Sequence, residues 1–219
     1  MIIVIDPGHG GDDPGAVGVD PRACSGYIEG VSNANVIIGP EAITEAALNW
    51  DMAGQIIREL MGSGRTVNNS RLLESQGMAL GKRAKAAQGS HCLVSIHHNA
   101  AESRWARGFE IYVHKHEVGD IGERDMALAS LILEECRSVL DAWGIPLRNP
   151  PIKADADWAS RGRLTLLAEA QVPACLIEVC FMSNPLELIA AQMPPFRWAM
   201  AAAISRGITR FGKEVLNVL

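Results

Sequence analysis

The chain begins MIIVIDPGHGGDDPGAVG, residues 1–18. Ile2–Ile5 are four β-branched residues in a row, which reads as a buried strand. The DPGHGG that follows is turn chemistry, yet it carries the chain's first histidine, His9, among glycines. Those glycines allow positive φ or a close approach to a ligand. Turn formation accounts for Pro7 and the glycines but not for the histidine. The stretch is not a nucleotide loop, because it has neither G-x-G-x-x-G nor a Walker lysine.

The same grammar recurs downstream. CLVSI at 92–96 is a second apolar run and leads into His97-His98-Asn99. GFEIYV at 108–113 is a third, and ACLIEV at 174–179 a fourth, with Glu178 near its end. Leu48, Met52, Ile56 and Leu60 recur at helical spacing after a candidate N-cap at Thr44, so a helix is expected through Met61, closed by Gly62 and Gly64. Further helices are expected at Leu73–Ala87, 123–143, Leu164–Glu169, from Pro185, and at Pro195–Phe211. Residues 65–67 read as a short strand and 144–161 as loop. The segment 12–44 is irregular, with one short strand expected at Asn35–Ile38. Near-continuous apolar strands alternating with helices indicate one α/β domain spanning 1–219, a sheet covered on both faces. In such sheets sites gather at the carboxyl ends of strands, where His9, His97, His98 and Glu178 fall.

Composition narrows the function classes. The 219 residues carry a formal net charge of −5, which does not favour nucleic acid as a partner. No apolar run is long enough to span a membrane. The N-terminus is strand-like and includes Asp6, so it does not read as a signal peptide. The five cysteines form no CxxC pair and are read as mostly reduced, three of them as small buried hydrophobes.

Two imidazoles and a carboxylate leave a fourth zinc position open for water. His9 and His97 suit that role if their strands are neighbours, while His98 points the other way. The carboxylate candidates are Glu29, Glu41 and Glu45, of which Glu45, in the first helical turn, is the better platform. Glu178 sits among Leu176, Ile177, Val179, Cys180 and Phe181, where lost solvation raises a carboxyl pKa toward general acid–base use. Arg71, Arg163, Arg161 and Lys153, in or beside loops, are candidates for binding a substrate carboxylate, with Asn99 beside them. Trp105 and Trp158 are loop aromatics able to stack on a sugar or acyl group. His114 and His116 read as surface residues.

IVIDPGHGGDDPGAVG at 3–18, TEAALNWDMA at 44–53, VSIHHNA at 94–100 with RGFEIYV at 107–113, and VPACLIEVCFMSNP at 172–185 together resemble the type 3 zinc-dependent N-acetylmuramoyl-L-alanine amidases. The resemblance runs in order from residue 2 to about residue 210. It implies a three-layer α/β domain with a mixed, mostly parallel sheet of about six strands. It implies Zn²⁺ held by His9, Glu45 and His97, with Glu41 as fallback, and Glu178 as the catalytic glutamate. The implied substrate is peptidoglycan, a glycan strand with its peptide stem. The implied cut is between N-acetylmuramic acid and L-alanine. Cys180 stands where the family usually has glycine, and the segment between His9 and Glu45 is longer than in compact members. The lack of a recognisable signal peptide or wall-binding repeat favours a phage-type endolysin or lysis enzyme, made in the cytoplasm and reaching the wall by release or through another factor. The rival readings are a zinc hydrolase of another amide and a non-catalytic wall-binding module.

Overall fold

The computed structural model describes residues 1–18, 43–115, 120–157 and 162–218. Six strands form one sheet: β1 (Ile2–Pro7), β2 (Thr66–Asn69), β3 (Cys92–Asn99), β4 (Phe109–Val113), β5 (Leu147–Ala154) and β6 (Ala174–Phe181). Their order is β2-β1-β3-β6-β4-β5. All neighbouring pairs are parallel except β4–β6, which is antiparallel. The expected α/β architecture with a six-stranded, mostly parallel mixed sheet is therefore what the described residues form. The helices are α1 (Glu45–Gly62), α2 (Leu80–Ala86), α3 (Asp120–Ala142), α4 (Thr165–Glu169), α5 (Pro185–Gln192) and α6 (Pro194–Glu214).

The two faces of the sheet are covered unequally. Alternate strand residues, including Ile3, Ile5, Val94, Ile96, Ile111, Ile177 and Val179, join side chains of α1, α3, α5 and α6 in the main core. Among the described residues, the opposite set, Val4, Leu93, Leu176 and Tyr112, packs under the short helices α2 and α4 with Ala84, Leu166 and Leu167. Two residues along each strand toward the open end, that same lightly covered face carries Asp6, Ser95, Glu178 and Glu110. Short cover leaves room for a groove there, and the polar residues end up beside it rather than under a helix.

Three elements depart from the sequence reading. Helix α2 starts at Leu80, not Leu73. The reason is Arg71, whose Nη1 donates to the carbonyls of Leu73, Glu74 and Gln76 and so takes acceptors a helix would need. Residues 147–154, read as loop, form strand β5. Among the described residues it is an edge strand paired only with β4, and an edge tolerates Pro150 and Pro151, which lack N–H donors. Strand β2 runs 66–69, slightly later than expected, and is the opposite edge. The expected strand at 35–38, Glu29, Glu41, His116, Trp158 and Arg161 lie outside the described residues.

Candidate metal centre and groove

Strand β1 ends at Pro7, and the chain turns at once. His9 takes a left-handed backbone, with φ of 59°. For a residue with a Cβ this costs on the order of 1–3 kcal/mol, so neighbours must hold it there. Arg83, buried, does so: its guanidinium donates to the carbonyls of Pro7 (2.7 Å), His9 (2.6 Å) and Met78 (2.9 Å) and pairs with Asp6 (3.3 Å). Arg71 adds donors to the Pro7 carbonyl from the same side. On the ring, His9 Nδ1 lies 2.9 Å from Asp13 Oδ2. That leaves Nε2 to face Glu45, 3.1 Å away.

Glu45 is the first residue of α1, and Thr44 caps the helix by accepting from the Ala47 N–H (3.2 Å). The capped start directs the Glu45 carboxylate over the strand ends. Oε1 lies 2.9 Å from His97 Nδ1 and accepts from the His98 N–H and from Asn49 Nδ2. Oε2 accepts from the Ala16 N–H. Space for the cluster is made by glycine at two points. A Cβ on Gly8 would sit 2.3 Å from the His97 ring, and one on Gly15, where φ is +65°, 2.6 Å from Glu45 Oε2.

His9, Glu45 and His97 each offer a donor atom, all within 4.8 Å of one another, and among the described residues they are the one such group able to hold a metal ion. Burial alone would push the Glu45 carboxyl up. The two imidazoles outweigh burial and hold it well below the usual carboxylate range. Burial lowers the proton affinity of His9, but Glu45 and Asp13 more than offset it and the net shift is upward. A buried, ionised carboxylate between two imidazoles is a donor set that suits a divalent cation of borderline softness, and Asp13 behind His9 is the outer carboxylate that fixes ring orientation in such sites.

His98 is not in the cluster. It lies on the other face, buried, with Nδ1 2.8 Å from Asn49 Oδ1, and desolvation pulls its pKa down to about 4.

Glu178 is next to His97 across the β3–β6 ladder and next to Glu110 across the β6–β4 ladder. Its Oε2 is buried without a hydrogen-bond partner among the described residues. Burial first, then the charges of Glu45 and Glu110, raise its pKa well above the ordinary carboxylate range. Glu110 itself is matched: it accepts from Asn99 Nδ2 (2.8 Å) and the Tyr112 hydroxyl (2.9 Å) and pairs with Lys153 and Arg148. A groove of about 550 Å³ has His9, Glu45, His97 and Glu178 on one side and Leu80, Leu164 and Leu166 on the other.

The remaining candidates separate. Asn99 lines the groove, held by Glu110. Arg163 is exposed just ahead of α4, beside the groove-lining Leu164. Arg71 does not reach the groove: it is fully buried and its guanidinium donors go to backbone carbonyls. The corrected view is of a clamp under the His9 turn. Lys153 is engaged by Glu110. His114, read as a surface residue, is half-buried on Asp155 (2.8 Å). Cys180 is buried and simply packs, its Sγ 3.6 Å from the Glu187 carbonyl. The sequence reading missed Asp13, Asn49 and Arg83. The first two stand four residues after His9 and Glu45, a spacing that brings side chains together on a helix or tight turn.

The comparisons with known proteins agree with this geometry. A family model described as N-acetylmuramoyl-L-alanine amidase matches residues 3–210. The germination-specific N-acetylmuramoyl-L-alanine amidase of Bacillus subtilis is 27% identical over 216 residues, covering 97% of this chain and 80% of that protein. The amidase AmiC of Neisseria meningitidis is 25% identical over 239 residues, and the chain, 96% covered, spans about half (52%) of its length. Among solved structures, the catalytic domain of the amidase CwlV from Bacillus (Paenibacillus) polymyxa superposes with a TM-score of 0.73 at 25% identity, covering 100% of this chain and 99% of that one. The amidase Ami1 of Mycobacterium smegmatis gives 0.73 at 25% identity, with 96% of each chain covered. A match that takes in the His9 turn, the start of α1, the end of β3 and all of β6 leaves one conclusion: the chain belongs to the N-acetylmuramoyl-L-alanine amidase family, enzymes that degrade peptidoglycan.

Proposed function

We propose that the chain is a zinc-dependent hydrolase of the amide between the lactyl carbonyl of N-acetylmuramic acid and the amine of L-alanine. The observation that carries this reading is the donor set of His9, Glu45 and His97 facing Glu178 across one groove. His9, Glu45 and His97 would hold the ion. When bound, zinc supplies Lewis-acid activation of water and of the amide carbonyl.

The chain's own residues do the rest. The groove takes the peptide side of the scissile bond along Leu164 and Leu166 and excludes bulk water from the reacting carbonyl. Glu178, with its proton affinity raised and Oε2 without another partner, accepts the proton of the attacking water. A C–O bond forms as the C–N bond breaks, and Glu178 returns that proton to the departing amine. The products are a lactyl carboxylate on intact glycan and a stem peptide with a free N-terminal L-alanine. Asn99 and Arg163, on the groove wall and at its mouth, contact the substrate in this reading.

Mass spectrometry of purified peptidoglycan digested by the zinc-loaded protein tests it. Free stem peptides beginning with unblocked L-alanine, on uncut glycan, are expected. Peptides cut at another bond would replace this assignment with a different zinc amidase, and binding without any release would replace it with a wall-binding role.

A further inference from the structure

A second cavity, of about 600 Å³, lies on the other flank of the turn that carries His9. The turn and the loop before α2 form a common wall: Gly10, Pro14, Leu73 and Glu74 line this cavity, whereas His9, Asp13, Met78 and Leu80 line the catalytic groove. The wall is tied together by Gly11 N–H donating to the Glu74 carbonyl (3.3 Å). Trp50, from the second turn of α1, is one side of the cavity. It is backed by the buried Arg71, whose guanidinium carbon lies 5.2 Å from the ring centroid. Arg71 is in turn held by backbone carbonyls, so the indole rests against a fixed support. Leu73, 62% exposed, adds a second apolar surface. Thr44, Glu74 and Ser75 supply polar groups around them.

We propose that this cavity is a saccharide subsite that takes an N-acetylated hexose ring of the glycan strand, an inference that rests on peptidoglycan being the substrate. A pyranose has an apolar C–H face and a hydroxyl edge. A rigid indole beside hydroxyl and carboxylate groups matches both, with the C–H face on the ring and the hydroxyls toward Thr44, Glu74 and Ser75. The scissile bond joins a sugar to a peptide, so cavities on the two flanks of the His9 turn provide one place for each limb.

The test uses the full chain, with chitotetraose as the probe, an N-acetylglucosamine oligomer that lacks the lactyl–alanine amide and so is read by binding alone. Calorimetry and saturation-transfer NMR measure its affinity. The parent is expected to bind. Trp50→Ala should weaken binding about tenfold or more, and Trp50→Phe, which keeps an aromatic face, should restore part of the loss. Ser75→Phe fills the cavity from its exposed rim and leaves Trp50 in place, and should also abolish binding, which decides the matter if Trp50→Ala does not fold. No binding by the parent, or binding unchanged in both the folded Trp50 variants and Ser75→Phe, overturns the subsite. Release of stem peptides by the unsubstituted enzyme, measured separately, keeps the two readings apart. Peptide release without chitotetraose binding leaves the amidase standing and removes the subsite. Binding sensitive to Trp50 without peptide release does the reverse.

Discussion

Glu178 and His97 occupy paired positions on the neighbouring parallel strands β6 and β3, so the acid–base candidate and a metal-ligand candidate are set by one rung of the sheet. Rigid strands hold such a pair more closely than loops do. The next rung partner, Glu110, repels a charge on Glu178 while its own charge is matched by Lys153 and Arg148. The arrangement keeps a proton-seeking carboxyl where the proposed mechanism takes up a water proton.

Replacing Glu178 with glutamine keeps the shape and removes the base. Turnover should fall by about 10²–10⁴-fold, the usual worth of a general acid–base group. Zinc content, measured by elemental analysis after dialysis, should stay at the level of the parent, because Glu178 is outside the donor set. Loss of metal together with activity would reassign Glu178 as a ligand.

Asp13 Oδ2 lies 2.9 Å from His9 Nδ1, behind the proposed ligand, and the side chain is otherwise well exposed. Asp13→Ala should weaken zinc binding by about 10–100-fold, as removal of an outer carboxylate does. Chelator competition would measure it. The same chelator should silence the parent enzyme, and added Zn²⁺ should restore it. In the variant, restoration should need correspondingly more metal.

Two arginines make a paired prediction about stability. Arg83 is buried on Asp6 and on three carbonyls. Arg83→Met leaves Asp6 without its cation and should cost about 3–5 kcal/mol, read as a lower urea midpoint at unchanged slope. Arg163 is exposed, and Arg163→Ala should stay within about 0.5 kcal/mol of the parent. A raised KM in that stable variant would then report substrate contact directly.

The strands β1, β3, β4 and β6 were legible because each is an apolar run too long for a turn, and His9, His97 and Glu178 because they break the pattern at or near strand ends. The edge strand β5 was not, since prolines at 150 and 151 carry the signal of a loop and only the pairing with β4 overrides it. Arg71 and Arg83 look like any loop or helix cation in one dimension. Their burial depends on carbonyls contributed by residues 7 and 9, over 60 positions away in sequence, and no local pattern encodes that. Glu45 was readable as the best placed of three carboxylates, in the first helical turn after Thr44, and what the sequence could not show is that the capped start sets it between two imidazoles.

The cysteines give a prediction that is independent of activity. Cys92, Cys136, Cys175 and Cys180 are free and buried. Desolvation raises all four, Cys92 to about 12. The reactive species is the thiolate, so at pH 8 the native fold should present almost none of it, and access is closed as well. In a Cys24→Ser variant, which removes the one cysteine outside the described residues, a disulfide-exchange dye should find no fast thiol. Adding denaturant should release four equivalents, because unfolding returns each group to an ordinary pKa near 8.5. A fast equivalent in the native variant would mean that β3, β6 or α3 opens locally, and mass spectrometry of the labelled peptide would say which.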